Sequence, residues 1–276
     1  MCFEYNNITT QPPRPSQKRV LKSIPMPTDE LAKAVAALRN AKTVAVLSGA
    51  GASAESGVPT FRASDGLWEG HRIEDVATPS GFKRNPALVW KFYNARRANV
   101  KTVVPNAGHY ALAAMERYWE HFTVVTQNVD GLHQAAGSVR VHEIHGSLRR
   151  TRCTQCGIIR DRRLDVLAEL PMCVDCGAML RPDIVWFHEM LPPDVWQRAE
   201  RAAETCDVLL VVGTSAVVYP AASLIPIAKQ QDRDSPATII ECNLTRTEAS
   251  AMADIGLYGP SGESLPKLCA ELGIKI

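Results

Sequence analysis

The segment Gly49–Arg62, GAGASAESGVPTFR, follows directly on the apolar run Thr43–Leu47, TVAVL. A short β-branched run that feeds a glycine-rich turn suits a dinucleotide. Glycines allow the tight turn and the close backbone approach, and N–H groups meet the pyrophosphate charge. Gly49 to Ala54 fit the pattern G-x-G-x-x-A. Pro59 stops any long helix after Gly57. No second β-run delivers the acid that oxidoreductases place on a ribose about 20 residues further on. A bound dinucleotide is expected, and hydride transfer is not.

Outward from this segment, apolar runs at Phe122–Thr126, Val141–Ile144, Val208–Val212 and Thr238–Glu241 alternate with helical patterns. The helical patterns lie at Asn106–Trp119, Val195–Thr205 and Ala221–Lys229. Upstream, Leu31, Val35 and Leu38 share a helical face, with Asp29 and Glu30 suited to its first turn. This is the β-α alternation of an α/β fold with a Rossmann-like, doubly wound parallel sheet. Ligands of such sheets gather at the carboxyl ends of the strands. Gly49 onward, Gln127 to Asp130, His145-Gly146, Gly213-Thr214-Ser215 and Asn243 should therefore face one crevice.

The 276 residues are 46% hydrophobic and carry a net charge of +2, enough for a sizeable core and no case for general nucleic-acid binding. The longest apolar runs fall far short of the roughly 20 residues that cross a bilayer. Residues 1–27 hold five prolines and Arg14, Lys18, Arg19 and Lys22 against Glu4, which reads as a flexible tail. A transit peptide is the alternative reading of the tail, and the compartment stays open between cytoplasm, mitochondrion and nucleus.

Cys153-x-x-Cys156 and Cys173-x-x-Cys176, 16 residues apart, read as one tetrahedral zinc site, with paired disulfides as the alternative. Four thiolates close the coordination shell, so the metal is expected to be structural. Arg149, Arg150, Arg152, Arg160, Arg162 and Arg163 around the first knuckle read as a solvated face. Cys206 and Cys242, beside strand runs, read as packing groups. In TQNVDGLHQAAG, from Thr126, amides and a carboxylate reach a strand end, and His145 at the next strand end suits a base. His71, His109, His121 and His142 read as exposed or internally satisfied.

Taken together, GAGxSxESGxPxFR, TQNVDGLHxxAG, HG before the two CxxC pairs, RPDIVWF, GTS and a closing LP resemble the sirtuin family over residues 28 to 274. The resemblance implies an NAD-dependent protein-lysine deacylase spanning 28–276. Its Rossmann-like parts would be 28–60, 102–147 and 185–276, its helical insert 61–101 and its zinc module 148–184. It implies that Gly49, Ala50, Gly51, Ala52, Ser53, Glu55, Phe61, Arg62 and Trp68 hold NAD as co-substrate, Phe61 also shielding the reactive face from water. Gln127, Asn128 and Asp130 would line the nicotinamide and ribose pocket, and Gly213, Thr214, Ser215, Asn243 and Ser261 the adenosine half. His145, Asn128 and Asp130 would be catalytic. The acyl-lysine oxygen would attack C1′ of the ribose, and His145 would activate a ribose hydroxyl toward the resulting imidate. Val185, Trp186, Phe187 and His188 would bind substrate, Ile184–Phe187 as a strand pairing with the peptide. Acylated-lysine proteins are the implied partners of a monomer, with no membrane and no direct nucleic-acid contact.

In Pro86–Val100, Tyr93 and Arg96 stand three apart and share a helical face. Phenol and guanidinium there can grip a carboxylate, and FYNARR resembles the Y-x-x-R signature of sirtuins that remove succinyl, malonyl and glutaryl groups. Arg97 is expected to be exposed. A deacetylase without this preference is the alternative. His188 stands where the family commonly has Gly, and Ala52 where a larger aliphatic residue is common.

Overall fold

The computed structural model describes residues 28–60, 67–68, 70–230 and 236–276; the tail 1–27, Phe61 and Arg62 lie outside these. The chain opens with helix α1 (Thr28–Asn40), strand β1 (Thr43–Ser48) and the helical turn α2 (Gly51–Ala54). It continues through the paired strands β2 (Leu67–Trp68) and β3 (His71–Arg72) to helices α3 (Ile73–Val76), α4 (Pro79–Arg84) and α5 (Pro86–Thr102). Then come α6 (Ala107–Tyr118), β4 (His121–Thr126), α7 (Leu132–Ala135), β5 (Val141–Glu143), β6 (Gly146–Cys153), β7 (Ile159–Asp161) and β8 (Leu180–Ile184). The last part is α8 (Pro193–Thr205), β9 (Val208–Val212), α9 (Leu224–Ala228), β10 (Thr238–Asn243), β11 (Ile255–Tyr258) and α10 (Ser261–Leu272).

The main sheet runs β5-β4-β1-β9-β10-β11 with every neighbouring pair parallel. From β1 the chain builds outward to β5, then returns to the other side of β1 and builds to β11. The order reverses between β1 and β9, the switch point where doubly wound sheets open a ligand crevice. Both faces are buried, as parallel strands require. Val44 and Val46 pack with Leu112, Met115, Phe122 and Leu268 on one face, while Ala45 and Leu47 pack with Leu209, Leu224 and Ile225 on the other. No described helix is long and apolar enough to cross a membrane.

The smaller part joins α3 to α5 to the antiparallel sheet β7-β6-β8. Asn85 caps α5 through Leu88 N–H, and Pro86 sits at its start, where a missing donor does no harm. The expected strand Ile184–Phe187 ends at Ile184 and belongs to the sheet with β6. Beyond it the backbone is spoken for internally. Val185 N–H donates to the His145 carbonyl (2.9 Å), Trp186 N–H to Glu189 Oε2 (2.8 Å) and Phe187 N–H to the Ala77 carbonyl (3.0 Å).

Arg97 also departs from expectation: it is 2% exposed and donates to backbone carbonyls of the zinc module. The arginine face is largely ion-paired. Arg150 and Arg152 converge on buried Asp183, Arg149 meets Asp161 and Arg160 meets Asp175. Each of these arginine side chains stays a third or more exposed, so the face is both solvated and paired. Cys206 and Cys242 are buried in the two faces of the main sheet.

Gly146, where the chain leaves the main sheet, has φ +83°, and an added Cβ would lie 2.1 Å from the Asp183 carbonyl oxygen. Gly146→Ala therefore combines a left-handed backbone with a clash against the residue that gathers Arg150 and Arg152. We expect a loss of about 3 kcal/mol, seen as a fall of roughly 6–12 °C in the thermal midpoint.

Candidate active site

The crevice begins as backbone packed on backbone. Gly51 N–H donates to the Gly213 carbonyl (2.7 Å), Gly49 N–H to the Val212 carbonyl (3.0 Å) and Gly213 N–H to the Cys242 carbonyl (3.0 Å). Gly213 has φ +60°, and a Cβ there would stand 2.1 Å from the Ala52 nitrogen. The ends of β1, β9 and β10 thus form one surface at the switch point. Ala50 precedes α2, and Ala52 is buried against the core cluster of the first sheet face.

Side chains extend the join. Gln127 Nε2 donates to Thr214 Oγ1 (2.9 Å), and Asn243 Nδ2 donates to the Thr214 carbonyl (3.0 Å). Ser215 follows, half-buried. Across the crevice, Glu55 Oε1 accepts from Gly262 N–H (2.8 Å) and Ser261 Oγ (3.2 Å). The carboxylate caps α10, where the helix dipole favours a negative charge, and ties the glycine-rich segment to Ser261. Trp68 lies in β2, its backbone paired with His71.

At the centre, Ser53 Oγ donates to Asp130 Oδ2 (2.8 Å) and accepts from Asn128 Nδ2 (3.1 Å), which also donates to the Gly49 carbonyl (3.0 Å). Asp130 Oδ1 accepts from Leu132 N–H (2.9 Å). These three side chains are buried, and each fixes the next. His145 Nδ1 lies 3.1 Å from the Gln127 carbonyl oxygen. A carbonyl only accepts, so Nδ1 carries the proton and the lone pair stands on Nε2. Burial lowers the His145 pKa, against the opposing pull of that carbonyl. The ring is therefore a neutral base near pH 7.

Two histidines that the sequence does not mark as functional underlie this group. His109 Nε2 lies 3.4 Å from Ser53 Oγ, and its Nδ1 accepts from Asn106 N–H (3.3 Å). His133 Nε2 meets Ser48 Oγ at 2.8 Å, and Ser48 Oγ donates to Thr126 Oγ1 (2.8 Å). The two rings meet edge to face, centroids 5.0 Å apart. Asn106-x-x-His109 is a capping box, the one sequence signal for His109. Glu241 was also missed. It is fully buried and accepts from Asn243 Nδ2 (3.0 Å), Thr247 Oγ1 (2.5 Å), Tyr258 OH (3.0 Å) and Ser250 Oγ. It thereby fixes the orientation of Asn243 from behind.

The residues anticipated for substrate form a separate cluster. Tyr93 is fully buried and its oxygen accepts from Trp186 Nε1 (2.9 Å). Burial pushes its pKa up to about 12, so it stays a neutral phenol. Arg96 is 7% exposed, with its guanidinium carbon 5.9 Å from the Phe92 ring centre and 6.0 Å from that of Tyr93. Trp186 is buried beneath the Arg181 guanidinium, 3.6 Å from its ring centre, and so packs into this cluster. Val185 is half-buried, while Phe187 and His188 are exposed. His188 has φ +70°, a conformation that favours glycine and that histidine adopts more readily than most side chains.

Cys153, Cys156, Cys173 and Cys176 bring their sulfurs within 4.8 Å of one another. Cys153 and Cys176 Sγ are 3.4 Å apart and Cys156 and Cys173 Sγ 3.8 Å, too long for disulfides. Zn–S bonds of about 2.3 Å give tetrahedral edges near 3.8 Å. The site fits one structural zinc ion, whose four thiolates would leave no open position for water.

Residues 49–220 match the model of the Sir2 family. NAD-dependent protein deacylase 2 of Pyrobaculum aerophilum is 47% identical over 235 residues, which is 85% of this chain and 93% of that protein. Among solved structures, a Sir2 homolog–NAD complex aligns with TM-score 0.82 at 45% identity, covering 88% of this chain and 93% of the other. A Sir2 homologue mutant bound to 2′-O-acetyl ADP-ribose aligns with TM-score 0.81 at 45% identity, covering 87% and 96%.

Burial lowers the pKa of His109 and His145, and takes His133 from 6.5 to about 3. Below pH 6.5 the unfolded chain takes up protons that the folded chain refuses, so stability must fall as pH falls. Each histidine contributes a slope of up to about 1.4 kcal/mol per pH unit. Urea unfolding between pH 7.5 and 5 should show this decline, and His133→Asn should shallow it by one histidine's share.

Proposed function

This chain belongs to the Sir2, or sirtuin, family, and we propose that it is an NAD-dependent protein-lysine deacylase that prefers succinyl, malonyl and glutaryl groups. Its products would be nicotinamide, O-acyl-ADP-ribose and the free lysine. The observation that carries the preference is the buried guanidinium of Arg96 beside the buried phenol of Tyr93. Because Tyr93 oxygen accepts from Trp186, its own proton can be given to a carboxylate. A charge-assisted bond of this kind contributes about 1.5–3 kcal/mol, or roughly 10- to 150-fold in kcat/KM, and an acetyl group gains none of it.

NAD would supply an electrophilic ribose carbon once nicotinamide leaves. Gly49, Gly51 and Gly213 offer a backbone surface for its phosphates, and Gln127, Asn128, Asp130 and Ser53 would orient the ribose and water. Glu55, Ser261, Thr214, Ser215 and Asn243 would hold the adenosine half. His145, with Nδ1 held on the Gln127 carbonyl, would take a ribose hydroxyl proton on Nε2. Val185, Phe187 and His188 would flank the acylated peptide, a reading that the name NAD-dependent protein deacylase of the Pyrobaculum relative supports.

The test is a panel of matched succinyl-, malonyl-, glutaryl- and acetyl-lysine peptides with NAD, followed by peptide mass and O-acyl-ADP-ribose. Tyr93→Phe and Arg96→Met should each depress the acidic reactions about tenfold or more relative to acetyl. Equal rates on all four peptides would leave the plain deacetylase reading. His145→Ala should lower turnover by roughly 10²–10⁴-fold with the fold intact. Since the base must be neutral, kcat/KM should rise with pH through a midpoint below 6.5 and level off above it.

A further inference from the structure

Helix α5 is buried on two sides at once. Trp90, Asn94, Arg97 and Lys101 recur at helical spacing toward the zinc module, while Val89, Phe92, Tyr93, Arg96 and Val100 recur toward the acyl cluster. On the zinc side, Trp90 packs with Cys153, Cys173 and Leu180, and its Nε1 donates to the Leu180 carbonyl (2.9 Å). Asn94 exchanges two bonds with the backbone of Leu167, Nδ2 to the carbonyl (2.9 Å) and N–H to Oδ1 (3.1 Å). Arg97 donates from Nε to the Asp165 carbonyl (3.0 Å), from Nη2 to the carbonyls of Arg163 (3.1 Å) and Arg162 (3.3 Å), and from Nη1 to that of Leu148. A planar guanidinium is the side chain whose fixed fork can reach four carbonyls from one buried position.

The opposite wall of the acyl cluster comes from the same module. Trp186, which donates to Tyr93, is two residues beyond β8, and β8 is held on β6, the strand that carries Cys153. The placement of Tyr93 and Arg96 against Trp186, whose Nε1 stands 2.9 Å from the Tyr93 oxygen, is therefore set by how α5 is seated on the zinc module. We infer that Arg97 is a positioning residue for acyl selectivity, a strut that seats α5 on the zinc module and so fixes where Tyr93 and Arg96 stand against Trp186. This inference rests on the acidic-acyl reading of the same cluster.

The test uses the full zinc-loaded chain. Arg97→Lys keeps the charge and stem but not the fork, and Lys101→Ala removes only an exposed ion pair with Asp165 on the same helix. The succinyl-to-acetyl ratio of kcat/KM should fall about tenfold in Arg97→Lys, chiefly through the acyl-peptide KM, with the NAD KM held within about twofold. Zinc release to a colorimetric chelator should quicken in the same variant, and Lys101→Ala should match the parent in every measurement. An unchanged ratio, or equal rises in both KM values, would overturn the strut. If the parent chain shows no acidic preference, that reading fails by itself. The strut is then read from the acetyl-peptide KM, which must still rise in Arg97→Lys while the NAD KM does not, or the inference falls too. Should Arg97→Lys fail to fold, Asn94→Ala loosens the same seat by removing the pair with Leu167, and the same readings apply.

Discussion

At the switch point the ends of β1 and β9 meet with no side chains between them. The Gly51 N–H and the Gly213 carbonyl stand 2.7 Å apart, and a methyl group at position 213 would overlap the Ala52 nitrogen. This approach decides the rest of the crevice. It brings Gln127 within reach of Thr214 and Asn128 within reach of the Gly49 carbonyl. Ser53, one turn on, then falls between Asn128 and Asp130. A single backbone contact thereby registers the two halves of the sheet against each other.

The sheet was legible because its strands are short β-branched runs, buried on both faces and separated by helical spacing, so each element could be read locally. The Cys-x-x-Cys pairs were legible for a similar reason: ligand spacing is a local property. What could not be read was the partner of each buried charge. In FYNARR the spacing ties Arg96 to Tyr93 but gives Arg97 no partner. Helical geometry puts the two arginines on different sides of one cylinder, and only the path of residues 148–167 makes the second side an interior. Glu241 reads as an ordinary polar position in an edge-ward strand until Thr247, Ser250 and Tyr258 fold back over it. Ile184–Phe187 reads as a strand because apolar, β-prone residues describe equally a strand and a buried irregular segment. His188 confirms the break in extended backbone, with its left-handed φ of +70°.

Charge is handled alike in distant parts of the molecule. Asp183 and Glu241 are buried, yet each is surrounded by donors, guanidinium groups for the first and hydroxyls and an amide for the second. Burial of a carboxylate is tolerable when its lone pairs are met, and a group so satisfied resists displacement. Asp183 lies under the arginines of β6 and Glu241 lies behind Asn243. They stiffen the walls without entering the crevice.

The bond from Gly262 N–H to Glu55 joins residues 207 positions apart. During synthesis the glycine-rich segment leaves the ribosome well before the helix start that its carboxylate caps. Domains close as units once their final contacts can form. A nascent chain halted before α10 can pair β1 with β4 and still lack the partner of Glu55, so its ligand loop stays without its far anchor. Closure of the glycine-rich segment against Ser261 and Gly262 thus waits on the synthesis of α10.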